Sequence, residues 1–318
     1  MIYLGIDIGG TRLKAGVVDE NGRLVRQVTG PSPATRPEME ATLHDLAWEV
    51  LSGESPDAVG FGCKGIVDAA AATVITMPGM WSFLEGIPLR QLVAPSIAPG
   101  TPVTADNDAK AALAGEMLWG AARGRRNALL LTLGTGVGGG ILAEGKILRG
   151  AGNVAGHLGH ITADPNGPPC ICGNRGCLEA VFSARAIEAQ VWAAVHQGVA
   201  SPMLNGLRAE PELLSCEYVY QQAAAGDPIA RHILDRATIV LAGAMAGLIH
   251  AFDPEVFILT GSIAAAGDAL FEPLRREVAW RTSGLIKREI PIVPCGVEDH
   301  SGTIGAAALA AQCLAALS

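Results

Sequence analysis

The sequence predicts an α/β protein made of two related halves around a central cleft. Three observations carry that expectation. The chain has 318 residues, about twice the usual size of one domain. A unit of strand, glycine turn and strand occurs twice, over Ile2–Val18 and over Ala128–Leu148, which is an architectural duplication without a short-period repeat. No linker-like stretch separates two independent modules, so the halves are expected to share a cleft.

Taken in order, Ile2–Asp7, Ala15–Val18 and Leu24–Val28 are short apolar runs separated by Asp-Ile-Gly-Gly-Thr and by Asn21-Gly22. They predict three antiparallel strands joined by a glycine turn and an Asn-Gly hairpin. Pro37–Leu51 carries helical periodicity, Ala58–Gly62 and Thr73–Thr76 predict strands, and Val103–Ala105 predicts a short strand feeding a helix over Asp108–Trp119. The second cluster follows with strands at Ala128–Leu133, Ile141–Ala143 and Lys146–Leu148 around the turn Gly134–Gly140. After a Gly/Pro/Cys-rich loop over Gly150–Gly176 come mainly helices, a strand at Val256–Leu259, a helix, a strand at Ile290–Val293 and a last helix from Gly302.

Composition narrows the function. Apolar residues make up 49%, charged residues 17%, and glycine supplies 40 positions, which excludes disordered, collagen-like and disulfide-stapled classes. Lys and Arg total 23 against 31 Asp and Glu, a net charge of −8, so neither nucleic acid nor an anionic membrane is expected as a partner. The longest apolar stretch, Ile239–Phe252, contains His250, is too short for a membrane span and predicts a buried helix. The N-terminal apolar run is broken by Asp7 and Gly9 and lacks a basic lead, so no signal peptide is expected. Seven cysteines, an odd number with three grouped at Cys170, Cys172 and Cys177, point to a reducing cytoplasm and a metal in place of a disulfide framework.

Gly9, Gly10 and Thr11 directly after a buried strand let backbone N–H groups approach an anion without Cβ obstruction, and phosphate is the obvious one. Asp7 before them could hold Mg²⁺, a hard cation that takes oxygen ligands. The same residues suit a plain β-turn with a solvated Asp, and the turn alone does not decide. Gly134, Gly136 and Gly139 satisfy GxGxxG, but the dinucleotide fingerprint needs the glycines to open a helix, and Ile141–Lys146 has the pattern of a strand and hairpin turn. No GxxxxGK[ST] occurs. Two glycine hairpins facing each other across a cleft would instead grip the phosphates of one ATP from both sides.

Asp106, Asn107 and Asp108 lie at a strand-to-helix junction. One must cap the helix; one carboxylate could accept a proton from an attacking hydroxyl while Asn107 orients that substrate. Spacing does not choose between these roles. His160 with Cys170, Cys172 and Cys177, a C-x-C-x₄-C run, supplies the Cys₃His set of a closed tetrahedral zinc site, and four protein ligands make the metal structural. His157 is a competing ligand or a residue of the cleft.

Together these motifs resemble the ROK family of sugar kinases and sugar-responsive repressors, within the actin/hexokinase-like superfamily. The resemblance covers nearly the whole chain. Its pieces are Asp7-Ile-Gly-Gly-Thr11 with Gly16, Asn107-Asp108-Ala109, Leu133–Gly140, Gly156-His-Leu-Gly-His160, Cys170–Glu179 and Gly305-Ala306-Ala307. It implies two RNase H-like domains around the cleft: a smaller one from 1–106 plus 302–318, and a larger one from 107–301 with the zinc-binding loop.

The resemblance further implies that Asp108 is the catalytic base and that Asn107, His157, His160, Glu179 and Gly65 line the sugar, with His160 also a zinc ligand. Asp7, Gly9, Gly10, Thr11 and Lys14 would meet the nucleotide phosphates with Mg²⁺, Gly134, Thr135 and Gly136 would cradle them from the other side, and Gly261 and Ser262 would lie near the adenosine. The implied reaction is ATP-dependent phosphorylation of a hexose 6-hydroxyl, with ATP, Mg²⁺ and structural Zn²⁺, in a cytoplasmic homodimer or homotetramer. Three departures stand out: Thr260 replaces a frequent glycine, Lys64 stands where relatives commonly have a small residue or proline, and His157 replaces a Glu of many glucose-phosphorylating relatives. Bacterial N-acetylmannosamine kinases are similar to this chain at His157, so glucose leads and N-acetylmannosamine is the alternative. A repressor would carry a helix-turn-helix ahead of the phosphate turn, for which a turn at Gly9 leaves no room. A silent sugar sensor is disfavoured because Asp7, Asp108 and both glycine turns are present.

Overall fold

The computed structural model describes residues 1–77, 81–297 and 301–317. They divide into two compact units, one of Met1–Arg126, Gly140–Gly156 and Cys295–Ser318, the other of Asn127–Gly139 and His157–Pro294.

In the first unit β1 (Ile2–Ile8), β2 (Arg12–Asp19) and β3 (Leu24–Pro31) form an antiparallel meander, followed by α1 (Arg36–Leu51), β4 (Ala58–Cys63), β5 (Ile66–Asp68), β6 (Thr73–Thr76), β7 (Val103–Asn107) and α2 (Asp108–Trp119). The chain continues through β8 (Ala128–Leu133), β9 (Val137–Ala143) and β10 (Lys146–Ile147), then α3 (Leu178–Phe182), α4 (Ala184–His196), α5 (Pro202–Ala209), α6 (Cys216–Ala224) and α7 (Pro228–Phe252). It ends with β11 (Val256–Thr260), α8 (Asp268–Thr282), β12 (Ile292–Pro294) and α9 (Ser301–Leu317). Strand order is β3-β2-β1-β4-β7 in one sheet and β10-β9-β8-β11-β12 in the other, so the duplicated strand, turn and strand unit becomes a duplicated sheet order. β5 pairs with β6 outside both sheets, a strand that three residues after a glycine do not announce.

The period-2 alternation of β1 sends Leu4, Ile6 and Ile8 into a core with Met39, Leu43 and Ala47 of α1. The opposite face carries Tyr3, which packs with Ile304 and Ala307 of α9, and therefore also Gly5 and Asp7. Glycine is required there: a Cβ on Gly5 would overlap the Thr303 carbonyl oxygen, and one on Gly60 that of Ala306. Helix α9 thus lies almost directly on the strand backbones, and Gly305 lets α2 pass equally close.

Parallel pairing of β1 with β4 and of β4 with β7 sets Asp7, Gly62 and Asp106 in one row, and Ile8, Cys63 and Asn107 in the next. The carboxyl ends of these strands, where ligands bind in open α/β sheets, are thus where the acidic motifs fall. In the second unit the parallel pair β8 and β11 places Thr132 beside Thr260, so the glycine turn after β8 and Gly261 after β11 leave the sheet together.

Helix α7 corrects the membrane-span reading. It runs for 25 residues, with mean hydropathy 1.4 over its apolar window, and is long and apolar enough to cross a bilayer by length and composition. Asp227 starts it by accepting from the Ile229 and Ala230 amides at 2.9 and 3.0 Å with Pro228 in the first turn, well before the apolar run begins. Ile233, Leu234, Ala237, Leu241, Met245 and Ile249 recur at helical spacing and are buried, and 56% of the window lies inside the protein against neighbouring helices.

Candidate active site

The first glycine turn, Gly9 to Thr11, links β1 to β2. It is pinned from β3's end by Ser32, whose hydroxyl donates to the Gly9 carbonyl at 2.6 Å and whose N–H donates to the Thr11 carbonyl at 3.3 Å. Gly10 and Thr11 are exposed. Asp7 is partly buried at the end of β1, in register with Lys14, and a Cβ on Gly302 would strike its carboxylate. Burial pushes the Asp7 carboxyl up to about 6, the Asp108 carboxylate pushes the same way, and the Lys14 ammonium opposes both. A carboxylate held out of water beside a second one, with one ammonium near, fits a divalent cation on oxygen ligands.

Helix α2 resolves the Asp-Asn-Asp cluster. Asn107 is the N-cap: its Oδ1 accepts from the Ala109 N–H at 3.1 Å and its Nδ2 donates to the Gly65 carbonyl at 3.1 Å. Gly65 holds φ +94°, and a Cβ there would overlap the Thr76 carbonyl, so glycine is needed to present that oxygen. Asp108 opens the helix exposed, with Oδ1 accepting from the Ala109 N–H at 2.8 Å. Asp106 is fully buried and bound to Arg149. One acid is therefore internal and the other is presented at a helix N-terminus, where negative charge is favoured.

In the second unit the Gly134 N–H donates to the Gly136 carbonyl at 3.0 Å, and the Gly138 N–H to Thr132 Oγ1 at 3.0 Å. Thr135 is exposed at the tip. The Val137 N–H donates to Glu179 Oε2 at 2.9 Å, and a Cβ on Gly136 would collide with that oxygen. Gly261 holds φ +96° against the Leu133 carbonyl, and the Ser262 hydroxyl lies 3.7 Å from where a Cβ on Gly134 would be. The turn, Glu179, Gly261 and Ser262 are thus neighbours.

His160 closes a short 3₁₀ turn, Leu158–His160, its N–H donating to the His157 carbonyl at 3.1 Å. Its Nδ1 lies 3.6 Å from Cys170 Sγ, Cys172 Sγ lies 3.6 Å from Cys177 Sγ, and all four donor atoms fall within 4.8 Å of one another. A tetrahedral zinc with Zn–S of about 2.3 Å sets its ligand atoms roughly 3.5–3.8 Å apart, so the donors fit the ion. Burial, with the other two thiols, pushes the Cys177 thiol up to about 12, so the thiolate form that ligates a metal is reached here only with a cation beside it. His160, not His157, is the imidazole of the cluster.

Two sets of neighbours lay outside the sequence reading. Ser32 has no local signal, whereas Lys110, a fully buried lysine among alanines of α2, could have been found as a charge on an otherwise apolar helix face. Lys64 is exposed, and Thr260 is buried at the end of β11.

The sequence model of the ROK family matches residues 3–313. A glucokinase of Thermotoga maritima is 35% identical over 308 residues, covering 96% of each chain, and an N-acetylmannosamine kinase of Salmonella heidelberg is 31% identical over 313 residues, covering 98% of each. Among solved structures, a ROK family glucokinase from Streptomyces griseus in complex with glucose and AMPPNP is 31% identical, with TM-score 0.82 over 98% of this chain and 100% of that one.

Proposed function

Because this chain belongs to the ROK family, we propose that it is an ATP-dependent sugar kinase, moving the γ-phosphoryl group of ATP to the 6-hydroxyl of a hexose. The observation that carries the reading is the exposed Asp108 carboxylate, set one residue after the Asn107 cap and within electrostatic reach of Asp7.

Asp108 takes the proton of the sugar 6-hydroxyl as that oxygen attacks the γ-phosphorus in line. The bond to the bridging oxygen breaks, ADP leaves, and a sugar 6-phosphate remains. Asn107 has a second Nδ2 hydrogen beyond the one given to Gly65, and it holds a sugar hydroxyl. Glu179 keeps Oε1 for another while Val137 occupies Oε2. N–H groups of the turns at Gly9–Thr11 and Gly134–Gly136, with Lys14, bind phosphate oxygens, and Gly261 and Ser262 meet the adenosine. Asp7 would hold Mg²⁺, which when bound spreads the charge developing on the phosphates. His160, Cys170, Cys172 and Cys177 would hold Zn²⁺, which braces the loop carrying His157 and His160. An odd number of cysteines, seven, with three grouped on one loop, supports a reducing, cytoplasmic setting.

Glucose is the leading sugar, since the Thermotoga maritima glucokinase is 35% identical to this chain and the Salmonella N-acetylmannosamine kinase 31%. His157 favours the second reading, N-acetylmannosamine, and the Salmonella kinase supports it. A coupled ADP-release assay over glucose, mannose, fructose, N-acetylglucosamine, N-acetylmannosamine and allose tests both. Sugar-dependent ADP release is expected with one or more of them; no sugar-dependent release with any contradicts the reading.

A further inference from the structure

Behind Asn107 and Asp108 lies a charged group that the proposed reaction does not use. Asp106 is 0% exposed and stands between two cations: its Oδ2 accepts from Arg149 Nε at 2.8 Å, and its Oδ1 is 3.9 Å from Lys110 Nζ. The same Oδ1 accepts the Asn107 N–H at 2.8 Å. Lys110, 1% exposed, spends its ammonium on the Asn153 carbonyl at 2.7 Å, and Asn153 is held at φ +60°, a conformation few side chains adopt.

Two charges taken out of water, with the third partly exposed, are a poor device for stability, because apolar side chains of similar volume pack as well without the desolvation cost. What they supply is a fixed arrangement. Each bond of the group ends either on the peptide leading into Asp108 or on the 149–153 segment, which runs on to His157 four residues later.

We propose that Asp106, braced by Arg149 and Lys110, is a positioning residue that holds the Asn107–Asp108 turn and ties it to the segment preceding His157. The role rests on the reading of Asp108 as the base. Asp106 touches no reacting atom. It fixes the direction in which α2 begins, and with it the direction of the Asp108 carboxylate, so that misplacement lowers turnover while nucleotide binding on the glycine turns is unaffected.

Arg149 is the partner to change, since its side chain is 34% exposed, against 1% for Lys110. In full-length Arg149→Gln, kcat should fall at least tenfold with KM for ATP within twofold of wild type, and Arg149→Lys should recover at least a third of the rate. Hydrogen exchange at the Asn107 and Ala109 amides should quicken at least tenfold while β1 keeps its protection. A folded Arg149→Gln protein with kcat within twofold, or with unchanged exchange at those two amides, overturns the proposal. Should that variant not fold, Lys110→Met is read by the same two measurements and the same limits. Asp108→Asn run beside it separates the two ideas. Normal turnover in that variant removes the base and leaves exchange to decide whether Asp106 holds the turn; a dead Asp108→Asn with a normal Arg149→Gln removes only the positioning role.

Discussion

The Val137 N–H donates to Glu179 Oε2 across 2.9 Å, with Gly136 the residue immediately before it. That one bond seats the start of α3 on the second glycine turn, and it leaves no room for a side chain at 136. Gly136→Ala should therefore displace either the turn or Glu179, costing about 1–3 kcal/mol of stability and at least tenfold in kcat/KM for the sugar. Gly134→Ala, whose new Cβ would meet only Ser262 Oγ at 3.7 Å, should leave the melting temperature nearly unchanged. Thermal melts and sugar kinetics on the two variants check the contrast; equal stability loss in both contradicts it.

Asp7 predicts a conflict between stability and activity. Its carboxyl is raised from 3.8 to about 6, chiefly by burial and then by Asp108. A carboxyl raised in the folded state holds its proton more tightly there than in the unfolded chain, so its contribution is present at low pH and is lost as pH climbs from about 4 to about 6. Above that window the ionised group costs about 1–3 kcal/mol, discounted for partial exposure. Asp7→Asn should melt a few degrees higher than wild type at pH 8, gain nothing at pH 4, and lose at least a hundredfold in turnover. Melts at both pH values and a turnover assay test this. A variant less stable than wild type at pH 8 contradicts the burial argument.

The zinc reading is checked by metal analysis and by chelation. One zinc per chain is expected, and its removal should lower the melting temperature and open the loop between His157 and Cys177 to proteolysis. A metal-free protein with full activity and an unchanged melt would remove the bracing role from His160 and the three cysteines.

His157 is expected to bear on sugar choice. His157→Glu should move the ratio of kcat/KM for glucose over N-acetylmannosamine at least tenfold toward glucose, since exchanging a hydrogen-bonding partner of a hydroxyl is worth more than a change of contact area. An unchanged ratio places selectivity elsewhere.

The sequence carried the local elements where pattern and caps agreed. Helix α2 and strand β8 have the bounds expected from Asp108–Trp119 and Ala128–Leu133, because a polar cap and a glycine turn mark their ends in the chain itself. The Cys₃His grouping was legible for the same reason, since spacing alone brings thiols together on a tight loop. The apolar run alone makes helix α7 too short, because Arg231, Asp235 and Arg236 interrupt it, although Asp227-Pro228 is a clear helix start. The division of labour among Asp106, Asn107 and Asp108 was not legible. It depends on β7 continuing to Asn107, so that strand alternation turns Asp106 inward toward Lys110 and Arg149, two partners that no local spacing predicts. Ser32 grips the first turn through a contact that exists only once β3 returns beside it.

The most direct test is Asp108→Asn, assayed by sugar-dependent ADP release alongside sugar binding by calorimetry. The variant keeps the shape of the side chain at the start of α2 and its acceptor for the Ala109 N–H, but cannot take a proton at neutral pH. Sugar affinity within a few-fold of wild type and turnover lower by three orders of magnitude or more are predicted. Turnover within tenfold of wild type would show that the proton of the attacking hydroxyl goes elsewhere.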